Sequence, residues 1–419
     1  MAFPYSQKLR SPGGGDNLFL ASIVAVNADT GEYVWHYQVC PAEQWDCTAT
    51  QDMTLATLDI DGEPRKVLMQ APKNGFFYVL DRATGEFISA EKIAKVTWAK
   101  SIDENGRPIE NPGIRYDDTG EMFELWPGPV GAHSWLPQAY SPQTNLVYIP
   151  VIEQGALIGP GAEGQTELGF DSGATLLPEV ELEGNRRSFL KAWDPVAQKA
   201  AWQVELPGSW PGGVLATAGG LVFQGTIDHR FVAYDAKTGK EVWTFKTDAP
   251  IVAPPISYSV NGKQYVSVIT GNGGNGGGIM SIGQAAYRTD YTLPRRVLTF
   301  SLDGKDSIPP FTAPPLTPPE DPDFAPNPAK VQQGAMLFGN LGCLACHGYN
   351  AVGGGVAPDL RYSPTIVNRD AFHAIVKDGA LKSNGMPNFP QLAEEQIEAI
   401  RDYLRARAKA APAEMARMK

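Results

Sequence analysis

The chain has 419 residues, 43% of them hydrophobic, and a formal net charge of −11. That length points to two domains, with enough apolar content for a buried core. The acidic balance, with no basic run beyond Arg186-Arg187 and Arg295-Arg296, argues against a nucleic acid partner. No stretch of about 18 apolar residues occurs, so no transmembrane segment is expected. At the start, Met1-Ala-Phe-Pro-Tyr-Ser offers neither a basic nor an apolar region, so no signal peptide is read there.

Residues 1–306 read as all-β. Short runs rich in β-branched and aromatic residues recur at Ala21–Val26, Lys66–Gln70, Phe76–Leu80, Leu146–Val151, Gly220–Gln224 and Tyr265–Thr270. Turn signals separate them, among them Asp61-Gly62, Asn74-Gly75 and Asn261-Gly262. An internal repeat is present. Val26-Asn-Ala-Asp29-Thr30-Gly31 with Trp35 matches Ala233-Tyr-Asp235-Ala-Lys-Thr238-Gly239 with Trp243. Weaker copies are Leu80-Asp81-Arg-Ala-Thr84-Gly85 and Ala192-Trp193-Asp194 with Trp202. Each reads as strand, tight turn, strand, with the Trp packed between neighbouring sheets. Such a repeat at roughly 40–50 residues means propeller blades.

Residues 307–330, SIPPFTAPPLTPPEDPDFAPNPAK, are too proline-dense for helix or central strand and read as a stiff, extended linker. The remaining 331–419 look helical. Val331–Asn340 forms one helix, and Gly342 lets the chain turn. Ala393–Ala408 forms another, with Ile397, Ile400, Tyr403 and Leu404 on one face. Glu394 and Glu395 open it and Arg405 and Arg407 close it, as the helix dipole favours. Between the helices lies Cys343-Leu-Ala-Cys346-His347, the spacing of a c-type haem attachment site. Cys343 and Cys346 can bond the haem vinyls, and His347 can ligate the iron. Downstream, Ser383-Asn-Gly-Met386-Pro387 carries a thioether where a second axial ligand is needed. Such haem is normally attached outside the cytoplasm. The missing signal peptide therefore leads us to expect that the chain is part of a longer one.

Several stretches carry a resemblance: Arg10-Ser-Pro-Gly-Gly-Gly-Asp16-Asn17-Leu18, Trp35-His36-Tyr37-Gln38, Ala71-Pro-Lys73-Asn74-Gly75-Phe76-Phe77 and Gly131-Ala-His133-Ser134-Trp135. Together with the Cys-x-x-Cys-His tail, they make the chain resemble the quinohaemoprotein alcohol dehydrogenases over essentially its whole length. The resemblance implies an all-β partial propeller of the eight-bladed quinoprotein type over 1–306. A small all-α cytochrome c domain over 331–419 would follow it. It implies pyrroloquinoline quinone (PQQ), calcium and haem c as cofactors.

On this resemblance Asp46 is the catalytic base, taking the alcohol proton, and also a calcium ligand. Lys73 stabilises the oxyanion of the reduced quinone. Ser134 and Trp135 contact PQQ, although Ser134 stands where the family often has Asn. Met386 is the second iron ligand, which raises the haem potential. The Pro358 carbonyl orients His347. Asp16 is expected to tie a loop, and His36 and His133 are not expected to bind metal. Cys40 and Cys47 flank Asp46 and could pair. Asn272 stands where the family has Trp. The family's calcium-ligating Asn falls on Met1, and its other calcium and PQQ groups would lie upstream, so only about half of the blades fit here. The expected function is oxidation of an alcohol to an aldehyde in the periplasm. Electrons would pass to haem and then to an external cytochrome, copper protein or quinone. The alternative is an electron-transfer cytochrome with an inert propeller fragment.

Overall fold

The computed structural model describes residues 4–161, 174–177, 182–272, 287, 289, 292–353 and 357–416. The chain divides into two units, residues 1–270 with 297–306, and residues 271–296 with 307–419. Met1 lies outside the described residues.

The first unit is built of antiparallel sheets. One four-stranded sheet takes Thr54–Ile60, Glu63–Gln70, Phe76–Asp81 and Phe87–Lys92 in order. Another takes Ala139–Ser141, Leu146–Glu153, Arg187–Asp194 and Lys199–Leu206. A third takes Val214–Ala216, Leu221–Thr226, Arg230–Asp235 and Glu241–Lys246. The pair Ser22–Val26 and Tyr33–Gln38 comes before them in sequence, and the three strands Ile256–Val260, Lys263–Ile269 and Val297–Phe300 come after. These sheets are propeller blades, as the repeat implied. In the sheets at 54–92 and 139–206 the middle strands carry buried apolar residues on both faces, whereas the strand Ile256–Val260 of the last sheet is exposed along its length. Phe76–Leu80 and Leu146–Ile152 are buried throughout. Strand starts shift by one residue where the backbone turns left-handed. Gly220 has φ +77, so that strand opens at Leu221, and Ala21 has φ +44, so the first opens at Ser22.

The repeat has a physical basis. Asp81 Oδ1 accepts the N–H groups of Ala83 and Thr84 at 2.9 and 3.2 Å, and Asp235 Oδ1 accepts those of Lys237 and Thr238 at 3.1 and 2.9 Å. In the first copy Asn27, not Asp29, does this work, toward Asp29 and Thr30. The turn glycine then lies flat under a Trp of another sheet. A Cβ on Gly85 (φ +76) would come within 2.6 Å of the Trp35 ring, and one on Gly239 (φ +72) within 2.5 Å of Trp202. The Asp–Thr–Gly turn and the Trp are thus the two halves of one contact between sheets.

In the second unit the proline-rich segment has no regular structure until the helix Pro328–Asn340. Asn327 caps that helix through the Lys330 N–H at 3.2 Å. The end of the expected linker is nonetheless fastened down. Asp321 accepts two hydrogen bonds from Arg405 at 2.7 and 2.9 Å, and the Arg405 guanidinium lies 4.0 Å from the Phe324 ring centre. The last helix runs Glu394–Ala416, longer than read from the sequence, and Glu414 on its extra turns pairs with Arg361 and Arg407. Its face of Ile397, Ile400, Tyr403 and Leu404 is buried as expected, with Tyr403 against Phe338 at 5.4 Å.

Candidate functional site

Asp46 sits in a short loop closed by a disulfide between Cys40 and Cys47. Its backbone is left-handed, φ +61, a conformation that costs a non-glycine residue about 1–2 kcal/mol. The loop is gripped from outside. Arg115 donates to the carbonyls of Pro41 and Ala42 and lies 4.8 Å from the Trp45 ring centre. Trp45 in turn packs on Trp98 at 5.4 Å. Arg10 donates to the Glu43 carbonyl at 2.6 Å.

The Asp46 carboxyl is buried. Its Oδ2 accepts from Lys73 Nζ at 3.1 Å, and the same ammonium donates to the Asp46 carbonyl at 3.2 Å. Its Oδ1 is buried without a hydrogen-bond partner among the described residues. Burial raises the Asp46 pKa above the usual aspartate value, and the Lys73 charge partly opposes this. Asp46, Lys73, the two disulfide cysteines, Trp45 and Trp98 line a cavity of about 20 Å³.

Lys73 is fixed from behind. Its carbonyl accepts the Ala132 N–H at 3.0 Å. At Gly131 (φ +83) a Cβ would fall 2.4–2.8 Å from Lys73 atoms. His133 fastens the next residues to the strand end before Lys73. One ring nitrogen lies 2.7 Å from the Ala71 carbonyl and the other 2.6 Å from the Leu136 carbonyl. Neither nitrogen is left to bind metal. His36 pairs with the Tyr33 hydroxyl at 2.7 Å. Ser134 is buried, whereas Trp135 is 48% exposed, with Trp210 at 6.2 Å. Asp16 forms a two-pronged ion pair with Arg107 at 2.8 and 2.7 Å, tying its loop to the 103–107 turn. Asn272 is buried and belongs to the second unit.

In the second unit Cys343–His347 forms one short helix after Gly342, which has φ +72. Both thiols are free and partly exposed. The cover over Cys343 pushes its thiol up to about 12. His347 is buried, and its Nδ1–H donates to the Pro358 carbonyl at 2.9 Å. Burial lowers its pKa and favours neutral imidazole, so Nε2 keeps a lone pair for iron. Met386 is partly exposed in the turn after Lys382–Asn384.

The chain is similar to known proteins. Residues 8–109 and 188–266 match the family described as glucose/ethanol/alcohol dehydrogenase, beta-propeller domain. Residues 329–404 match the cytochrome C oxidase, cbb3-type, subunit III family. The chain is 46% identical to quinohemoprotein alcohol dehydrogenase ADH IIB of Pseudomonas putida, over 96% of this chain and 58% of that protein. It is 42% identical to 1-butanol dehydrogenase (cytochrome c) of Thauera butanivorans, over 96% of this chain and 58% of that protein. The crystal structure of quinohemoprotein alcohol dehydrogenase from Comamonas testosteroni superposes with a TM-score of 0.83 at 40% identity, covering 97% of this chain and 60% of that one. Over nearly its whole length the chain is similar to quinohaemoprotein alcohol dehydrogenases. It spans a little over half the length of these curated relatives.

The quinohaemoprotein cofactors can be tested against the residues present. For haem c the residue types fit: two free thiols, an anchored imidazole and a Met386 thioether belong to one unit. For PQQ, the unpartnered Asp46 Oδ1 and the Lys73 ammonium supply an acceptor and a cation. For calcium, no group of three or more His, Cys, Asp or Glu side chains gathers among the described residues. Asp46 is the only carboxylate lining the cavity, so no chemistry is assigned to the ion here. Sequence reasoning missed Glu43, Arg10 and Arg115 around the Asp46 loop. Nothing in their spacing marks them, since Arg10 and Arg115 lie far from position 46 in the chain.

Proposed function

We propose that the chain serves the oxidation of an alcohol to an aldehyde, with electrons passing from PQQ to a covalent haem c and on to an external acceptor. The observation that carries this reading is the buried Asp46–Lys73 pair, with one carboxylate oxygen engaged and the other unpartnered. Asp46 Oδ1 is the atom that would hold and then take the alcohol's hydroxyl proton. Lys73 favours the ionised form of Asp46, although burial raises its pKa on balance, and its remaining N–H is available to a developing oxyanion. The disulfide cysteines, Trp45 and Trp98 wall the cavity. PQQ, when bound, supplies a two-electron acceptor. Cys343 and Cys346 would hold haem c covalently, with His347 and Met386 as axial ligands.

The Cys40–Cys47 disulfide and the haem motif favour the periplasm. No described helix is long and apolar enough to cross a membrane. A cytochrome, a copper protein or a quinone would suit as acceptor. A second reading, an electron-transfer cytochrome beside an inert propeller fragment, is favoured by there being no group of three or more His, Cys, Asp or Glu side chains among the described residues. Dye reduction by alcohol in the presence of PQQ and calcium separates them. The first reading expects PQQ-dependent dye reduction. No dye reduction, with the haem still reducible by dithionite, would leave the second.

A further inference from the structure

We propose that Glu43 is a positioning residue for Asp46, acting through the backbone amides on either side of it. The inference rests on Asp46 being the base named above. The Glu43 side chain is fully buried, at 0% exposure. Its Oε2 accepts the N–H of Trp45 at 3.0 Å and the N–H of Cys47 at 3.1 Å. Those amides bracket Asp46. A left-handed residue in a turn directs neighbouring N–H bonds toward a common point, which makes a small anion nest. Asp46 is that residue, with φ +61, and the Glu43 carboxylate fills the nest from within the same loop.

Arg10 grips Glu43 in turn. Its Nη2 donates to the Glu43 carbonyl at 2.6 Å, and its Nη1 lies 4.0 Å from Oε1. The guanidinium is itself held by the carbonyls of Pro4 and Tyr5 and by Asn17 Oδ1. Burying a carboxyl is expensive unless it is paired and hydrogen-bonded, and both hydrogen bonds to Oε2 come from the Asp46 turn. The disulfide fixes the ends of the loop. Glu43 fixes the peptide units beside Asp46, and so the direction of the carboxyl toward Lys73. Glu43 does not line the cavity that Asp46 lines. It therefore acts through Asp46 and not on the reacting atoms.

Amide hydrogen exchange on the whole haem-loaded chain tests this without needing turnover. In Glu43→Ala the Trp45 and Cys47 amides should exchange roughly tenfold faster or more, as loss of charge-assisted hydrogen bonds implies. The strands of the 54–92 sheet should not change. Glu43→Gln keeps an oxygen acceptor and should stay within about threefold of wild type. If Glu43→Ala does not fold, Glu43→Leu fills similar space without an acceptor and should give the same local acceleration. Where alcohol turnover is measurable, Glu43→Ala should lower kcat about tenfold with KM nearly unchanged, and Glu43→Gln should restore most of it. Unchanged Trp45 and Cys47 exchange in both the Ala and Leu variants would overturn the proposal, as would a Gln variant as impaired as Ala. A wild-type chain that turns over no alcohol would sink the alcohol reading, while the exchange pattern would still decide the role of Glu43.

Discussion

The haem site and the Asp46 site are built in opposite ways. Three of the four haem groups sit within five consecutive residues, Cys343–His347, on one helix. The Asp46 site is gathered from separate stretches: Arg10, the 40–47 loop, Lys73, Trp98 and Arg115. The first takes three of its groups from one short helix and only Met386 from elsewhere in the unit. The second depends on blades packing in register, and its acid is held by burial, a disulfide and a left-handed turn.

This contrast can be broken by experiment. The largest effect is expected from His347→Ala. It removes one axial ligand on the short helix and should abolish the low-spin c-type haem spectrum, while circular dichroism of the β-rich unit stays the same. Next, Lys73→Met should cut alcohol-dependent turnover by about 10²-fold, the usual cost of losing a positioned charge donor, with no change in haem content. Its pH profile sharpens the point. Burial raises the Asp46 pKa and Lys73 lowers it. Turnover needs the ionised carboxylate, so wild-type activity should fall as pH drops through that raised value. Removing Lys73 should push this acid limb to still higher pH.

A smaller, purely structural effect should come from Gly239→Ala. The new Cβ meets Trp202 at 2.5 Å and sits at positive φ, costing about 1–3 kcal/mol. Thermal unfolding should show the propeller transition falling while the haem unit's transition stays. Smallest is Arg405→Ala. It frees Asp321 and Phe324 from the last helix and should lower stability of the haem unit by about 1 kcal/mol.

The same contrast explains what the sequence revealed. The Cys-x-x-Cys-His motif was legible because its chemistry fixes its spacing, while the Pro358 acceptor for His347 was expected only through the resemblance. The blades were legible because the Asp–Thr–Gly turn and the Trp must recur for sheets to stack. The fastened end of the proline segment was not, because Asp321 and Arg405 are 84 residues apart and composition alone describes an unattached spacer. Asp46 and Lys73 stood out only through resemblance, since an acid after a Trp and a Lys before Asn-Gly are ordinary turn residues. Glu43 escaped notice altogether. Its role depends on the left-handed backbone of Asp46, which no residue type at that position announces.

The most direct test of the account is to load the chain with haem, PQQ and calcium, add ethanol or a longer alcohol, and follow the c-haem absorbance bands. Alcohol-dependent reduction of the haem that disappears in Asp46→Asn, while dithionite still reduces that variant fully, is the predicted result. Reduction that survives in Asp46→Asn would contradict the assignment of Asp46 as the base.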